Sequence, residues 1–134
     1  MNNPLLILLF ITSISINLQA QKLNRTERKI VEKVKNFDNA SLLFLEKVVN
    51  INSGTLNQNG VKEVGDLFDT AFQEIGLQTE WINMPAEMNR AGHLFASING
   101  DKGKKLLLIG HLDTVFEENS PFQTFERIND SIAY

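Results

Sequence analysis

Gly110-His111-Leu112-Asp113-Thr114 is the stretch of this chain whose residue types and spacing could do chemistry. An imidazole can give one ring nitrogen to a zinc ion while its other N–H needs an oriented acceptor to fix the tautomer. In an extended backbone, side chains two residues apart lie on the same side. Asp113 could therefore be the acceptor that holds the His111 ring and raises its basicity. Spacing alone leaves a second reading open, a loop histidine hydrogen-bonded beside a capping Asp. One histidine cannot hold a catalytic zinc, which takes three protein ligands. The other histidine, His93, sits between Gly92 and Leu94 at the start of a strand; it could be a ligand, but a structural histidine is the commoner role for such a residue. The sequence has no nucleophile elbow, no phosphate-cradling Gly-rich loop and no cysteine.

The elements around the pair follow from hydrophobic period. Lys104–Gly110 contains Leu106-Leu107-Leu108-Ile109, a run with no polar face that predicts a strand buried on both sides. His111 would then leave its carboxyl end, where open α/β sheets bind ligands. Upstream, Lys29–Lys35 and Ser41–Val49 carry apolar residues at helical spacing, with Asp38 and Ser41 as candidate N-caps. Gln21–Glu27 is polar and reads as frayed. Asn50–Asn59 is a polar loop with Gly54 at a turn. Val61, Val64, Leu67, Phe68, Ala71, Phe72 and Ile75 form one helical stripe, a core face that Gly76 stops. Leu77–Met84 and Leu94–Ile98 read as strands, and Asn99–Gly103 as a turn. Helices, then strands with short connections, predict a layered α/β domain.

Composition narrows the class. The 134 residues carry 13 Lys+Arg and 16 Asp+Glu, a formal charge of -3 without the basic footprint of a nucleic-acid binder. Residues 1–20 hold none of those charged side chains. Leu5–Ile16 is apolar but for Thr12, Ser13 and Ser15, and Asn17-Leu18-Gln19-Ala20 ends in a small residue. This is the layout of a secretory signal peptide cut after Ala20, although no Lys or Arg precedes the apolar run. The run is shorter than the ~20 residues a spanning helix needs, so no stable membrane anchor is expected. The expected location is secreted or periplasmic.

The run Leu106–Phe116 with Pro121-Phe122 resembles the first metal motif of the zinc exopeptidase family of glutamate carboxypeptidase, aminoacylase and acetylornithine deacetylase. Val49–Thr55 with the Val61–Gly76 helix, and Arg90–Leu94, resemble the same family in the same order. Phe125–Arg127 through Ala133-Tyr134 resembles the strand before its next motif. The resemblance covers roughly residues 37–134 and lies nearest the glutamate carboxypeptidase branch. It implies an α/β fold, the N-terminal part of a layered helix–sheet–helix catalytic domain. Residues 1–20 would be the signal peptide, and 21–134 a truncated portion of that domain. It makes His111 the first zinc ligand and Asp113 the catalytic carboxylate that supports it. It further implies two zinc ions, whose remaining ligands and general base have no counterpart here. The substrate would be a peptide or N-acyl amino acid, cleaved at an amide bond by zinc-activated water. A homodimer would form through a domain these residues lack. Taken alone, they would be inactive. Two other readings remain at this level: a non-catalytic secreted binding module or decayed gene product that keeps the α/β layer, and an unrelated secreted hydrolase using His111 and Asp113 as base and orienter.

Overall fold

The computed structural model describes residues 22–134, so the expected signal peptide lies outside the described residues. The described residues divide into two units between Asp38 and Asn39. The described part of the first holds helix α1 (Arg25–Asn36). Its start lies four residues before the expected Lys29, within the stretch read as frayed. A capping box accounts for the difference. Asn24 Oδ1 accepts from the Thr26 and Glu27 amides at 2.8 and 3.0 Å, while Glu27 Oε2 accepts from the Asn24 amide at 2.7 Å. The polar residues expected to fray instead satisfy the first turn's orphan donors.

Helix α2 (Asp38–Val49) leads into the second unit, followed by α3 (Gln58–Glu74) and strands β1 (Gln78–Ile82) and β2 (His93–Ser97). Asp38 lies in the first turn of α2, so the helix begins ahead of Ser41. Asn57 caps α3, its side chain accepting from the Gly60 amide at 3.1 Å. The expected stripe forms the core: Val61 and Val64 are buried on α3, and Phe68 meets Phe44 of α2 edge-on at 5.1 Å. Gly76 ends the helix with φ +86, a conformation that costs any residue with a Cβ.

The strands form a two-stranded antiparallel sheet that pairs Thr79 with Ala96 and Trp81 with Leu94. These four are the half-buried positions of an alternating pattern. The hairpin packs on α3, where Lys62 Nζ lies 4.7 Å from the Trp81 ring. The described fold is mixed α/β, as expected.

One expected element is absent. Residues 104–110 form no strand, and Leu106, Leu107, Leu108 and Ile109 are 82, 79, 82 and 86% exposed. A continuous apolar run shows what its side chains prefer, but a buried strand also needs neighbours to pair its backbone and layers on both faces. Among the described residues β1 and β2 pair with each other alone, and nothing covers the run. The tail doubles back instead of continuing as one strand. Glu126 and Tyr134 exchange backbone hydrogen bonds at 2.7 and 2.9 Å. Among the described residues no helix is long and apolar enough to cross a membrane.

Candidate functional site

The polar loop after α2 and the segment after Gly110 are held side by side. Thr114 N donates to Ser53 O at 2.8 Å and Thr55 N donates to Thr114 O at 3.1 Å, a parallel bridge. Gly54 is needed here for closeness. A Cβ on it would lie 2.8 Å from the Glu117 Cα. Glu117 Oε1 accepts from the Leu56 amide at 3.2 Å.

Asn52 joins the two segments through its side chain. Its Nδ2 donates to Phe116 O at 3.0 Å and to Gln123 Oε1 at 2.9 Å. Its Oδ1 accepts from Gly54 N at 3.3 Å and Asn57 Nδ2 at 3.2 Å. Truncating it strands several part-buried partners, each costing about 1–3 kcal/mol when unpaired. Asn52→Ala is therefore expected to lower unfolding free energy by ~2–3 kcal/mol, measured by urea denaturation. A loss under ~0.5 kcal/mol, the scale of ordinary surface substitutions, would contradict this account.

On this frame His111 and Asp113 meet as the spacing predicts, with Nδ1 3.2 Å from Asp113 Oδ1. The other carboxylate oxygen, Oδ2, accepts from Thr55 Oγ1 at 2.7 Å. The Thr55 hydroxyl first, and the His111 contact after it, hold the Asp113 carboxyl below the usual carboxylate range, against the upward push of partial burial. An ionised carboxylate can only accept, so Nδ1 is the donor and Nε2 of the neutral ring keeps its lone pair. The His111 side chain is 86% exposed and Asp113 32%. The ring stands at the mouth of an apolar cleft of about 320 Å³ lined by Val48, Val64, Phe68, Leu112 and Phe116 among others.

The Asp113 shift gives a measurable expectation. Thr55→Val removes its largest cause, so the carboxyl should titrate at higher pH, read from the Asp113 ¹³Cγ shift. A lowered folded-state value stabilises the fold above the unfolded carboxylate range near 3.9, and that contribution is lost as pH falls through the folded value. The variant should therefore lose less stability between neutral and acid pH.

Zinc fits this geometry in part. His111 offers a bare Nε2 with its opposite nitrogen held by a carboxylate, the usual arrangement of a histidine ligand. Among the described residues no three His, Cys, Asp or Glu side chains form a group that could hold a metal. They supply one oriented donor and not a complete set. His93 is at an exposed position of β2, its ring edge-on to Phe95 at 6.4 Å.

Thr55 and Asn52 escaped the sequence reading as site residues. Ser53-Gly54-Thr55 read as a turn, and nothing local ties it to Asp113, 58 residues on. The available hint was a loop dense in Asn, Ser and Thr, more hydrogen-bonding groups than a turn needs.

The described site is a carboxylate-held histidine beside an apolar cleft on a mixed α/β frame. The chain is 33% identical over 95 residues to Carboxypeptidase G2 of Pseudomonas sp. (strain RS-16). Those residues are 71% of this chain and 23% of that protein, so the chain spans about a quarter of the relative's length. The similarity relates this chain to a peptidase. No family model matches the chain, and no solved structure matches it.

Proposed function

We propose that these residues belong to a secreted zinc-dependent exopeptidase or amidohydrolase, in which His111 is a zinc ligand and Asp113 its orienting carboxylate. The substrate class is a peptide or N-acyl amino acid. The observation that carries the reading is the His111 Nδ1–Asp113 contact, which leaves Nε2 bare and exposed within the stretch that resembles the family's first metal motif. Similarity to a carboxypeptidase supports it, and the apolar, uncharged residues 1–20 support export. The other donors and the general base would come from residues outside these 134. When held by a full set of donors, zinc supplies a Lewis acid that activates water toward an amide carbonyl. His111 and Asp113 contribute the position and basicity of one ligand.

The test begins with the source DNA read past the codon for Tyr134. The reading frame should continue and encode further acidic and histidine donors. The whole protein should then hydrolyse peptide or N-acyl amino acid amides, lose that activity to a chelator and regain it with zinc. His111→Ala should abolish it. A stop codon directly after Tyr134, or hydrolysis indifferent to chelation, would overturn the proposal.

A further inference from the structure

We propose that Thr55 is the positioning residue for His111, acting through Asp113; its importance for a metal rests on the function proposed above, but its effect on the ring does not. His111 is 86% exposed and its side chain makes no other hydrogen bond among the described residues, so Asp113 alone fixes the ring. Asp113 is in turn held from both sides. Oδ1 faces His111 at 3.2 Å, and Oδ2 receives the Thr55 hydroxyl at 2.7 Å. Rotation about the last carboxylate bond is soft and roughly two-fold. With a single hydrogen bond to an exposed ring, the carboxylate would swing and take the imidazole with it.

Thr55 suits this task for two reasons. Its backbone is fixed against the histidine segment, because Thr55 N donates to Thr114 O at 3.1 Å beside the Thr114 N–Ser53 O bond. Its side chain is β-branched and therefore stiff about χ1, so the hydroxyl is held in place. That hydroxyl has one proton and two acceptors in reach, Asp113 Oδ2 at 2.7 Å and Thr114 O at 3.1 Å. The shorter, charge-assisted contact is the stronger one. Thr55 thus sets the carboxylate, the carboxylate sets the Nδ1–H tautomer, and the bare Nε2 points where the backbone of residues 111–114 aims it. Serine would keep the proton but lose the stiffness. Valine would keep the shape and lose the proton.

The experiment is long-range ¹H–¹⁵N NMR on the full chain, labelled at histidine and held soluble by fusion to a histidine-free carrier. With 2 histidines in the chain, His93 in the hairpin serves as the internal control. The spectra are taken at about two pH units above the ordinary imidazole value of ~6.5. The wild type should show His111 mainly as the Nδ1–H form, against the Nε2–H preference of a free imidazole. Thr55→Val should move it to the free-imidazole pattern and leave His93 unchanged, with Thr55→Ser restoring most of the wild-type pattern. A wild-type tautomer ratio in Thr55→Val would overturn the proposal. If Thr55→Val shifts His93 as well and so has lost the fold, the pair Thr55→Ser and Thr55→Ala decides. The serine variant should hold the tautomer and the alanine variant should not, and identical behaviour of the two refutes the role. The parent reading is tested separately, by chelation and return of zinc on the whole protein with its further donors, where Thr55→Val should bind zinc roughly ten-fold more weakly, the scale seen when a ligand's outer partner is lost. Activity there that ignores chelation would refute the metal reading and leave the tautomer result, and with it the positioning role, intact.

Discussion

Alanine in place of Gly60 is expected to destabilise the chain by about 1–3 kcal/mol, the range for overfilling a packed site. The expectation runs against helix propensity. Gly60 lies in the first turn of α3, where exchanging Gly for Ala would ordinarily gain ~0.5–1 kcal/mol. Here a Cβ would overlap the Asn52 carbonyl oxygen and stand 2.9 Å from both the Asn52 carbonyl carbon and Asn57 Nδ2. Two of those three atoms are backbone, so no change of rotamer relieves the overlap. The Asn52 carbonyl also accepts from Asn57 Nδ2 at 2.9 Å, and Asn57 caps the helix. Displacing it disturbs the cap and the loop that carries Thr55 together. Urea denaturation measures the loss, and the Asp113 carboxyl should move toward its ordinary range in the same variant. A Gly60→Ala protein as stable as the wild type would show that the loop at Asn52 yields without cost.

The same contrast between local pattern and distant partner decides what was legible in the sequence. The stripe from Val61 to Ile75 and the stop at Gly76 depend on residues within one helix, and α3 follows them closely. Trp81 and Leu94 lie in alternating runs, and they pair across the hairpin. His111 and Asp113 are two residues apart, so one extended turn of backbone brings them together. The start of α1 is legible in principle, because Asn24 and Glu27 have the capping-box spacing, but the polarity of the same residues predicts fraying. Asn52–Gln123 and Thr55–Asp113 span 71 and 58 residues. No periodicity carries such pairings, since a single hydrogen-bonding side chain in a loop has many partners it could take. The run Leu106–Ile109 shows the converse. Its composition asks for burial, and composition does not supply the neighbouring strands that would provide it.

That run leads to the other large expected effect, concentration-dependent self-association of residues 21–134. Leu106, Leu107, Leu108 and Ile109 are contiguous and each at least 79% exposed, in a backbone with no strand partner among the described residues. Unpaired amides and carbonyls beside apolar side chains form a template for pairing with a second copy. Burying eight such side chains in a dimer contributes about 12–24 kcal/mol at ~1.5–3 each. Lost translational, rotational and side-chain freedom opposes it by about 4–15 kcal/mol. The mid-range difference of ~8 kcal/mol corresponds to micromolar association. Light scattering should therefore show mass rising with concentration through that range. Lysine at Leu107 and Ile109 together should return the chain to monomer, because two charges on one face make edge pairing costly. Below the association range the far-UV circular dichroism of variant and wild type should agree, since neither residue belongs to a helix or to the hairpin. A cooperative melt from a soluble monomer at about 100 μM, well above the micromolar expectation, would sink the prediction. It would mean that residues 104–110 find cover within the chain itself, and that the apolar cleft beneath His111, which Leu112 already lines, is the place to look for it.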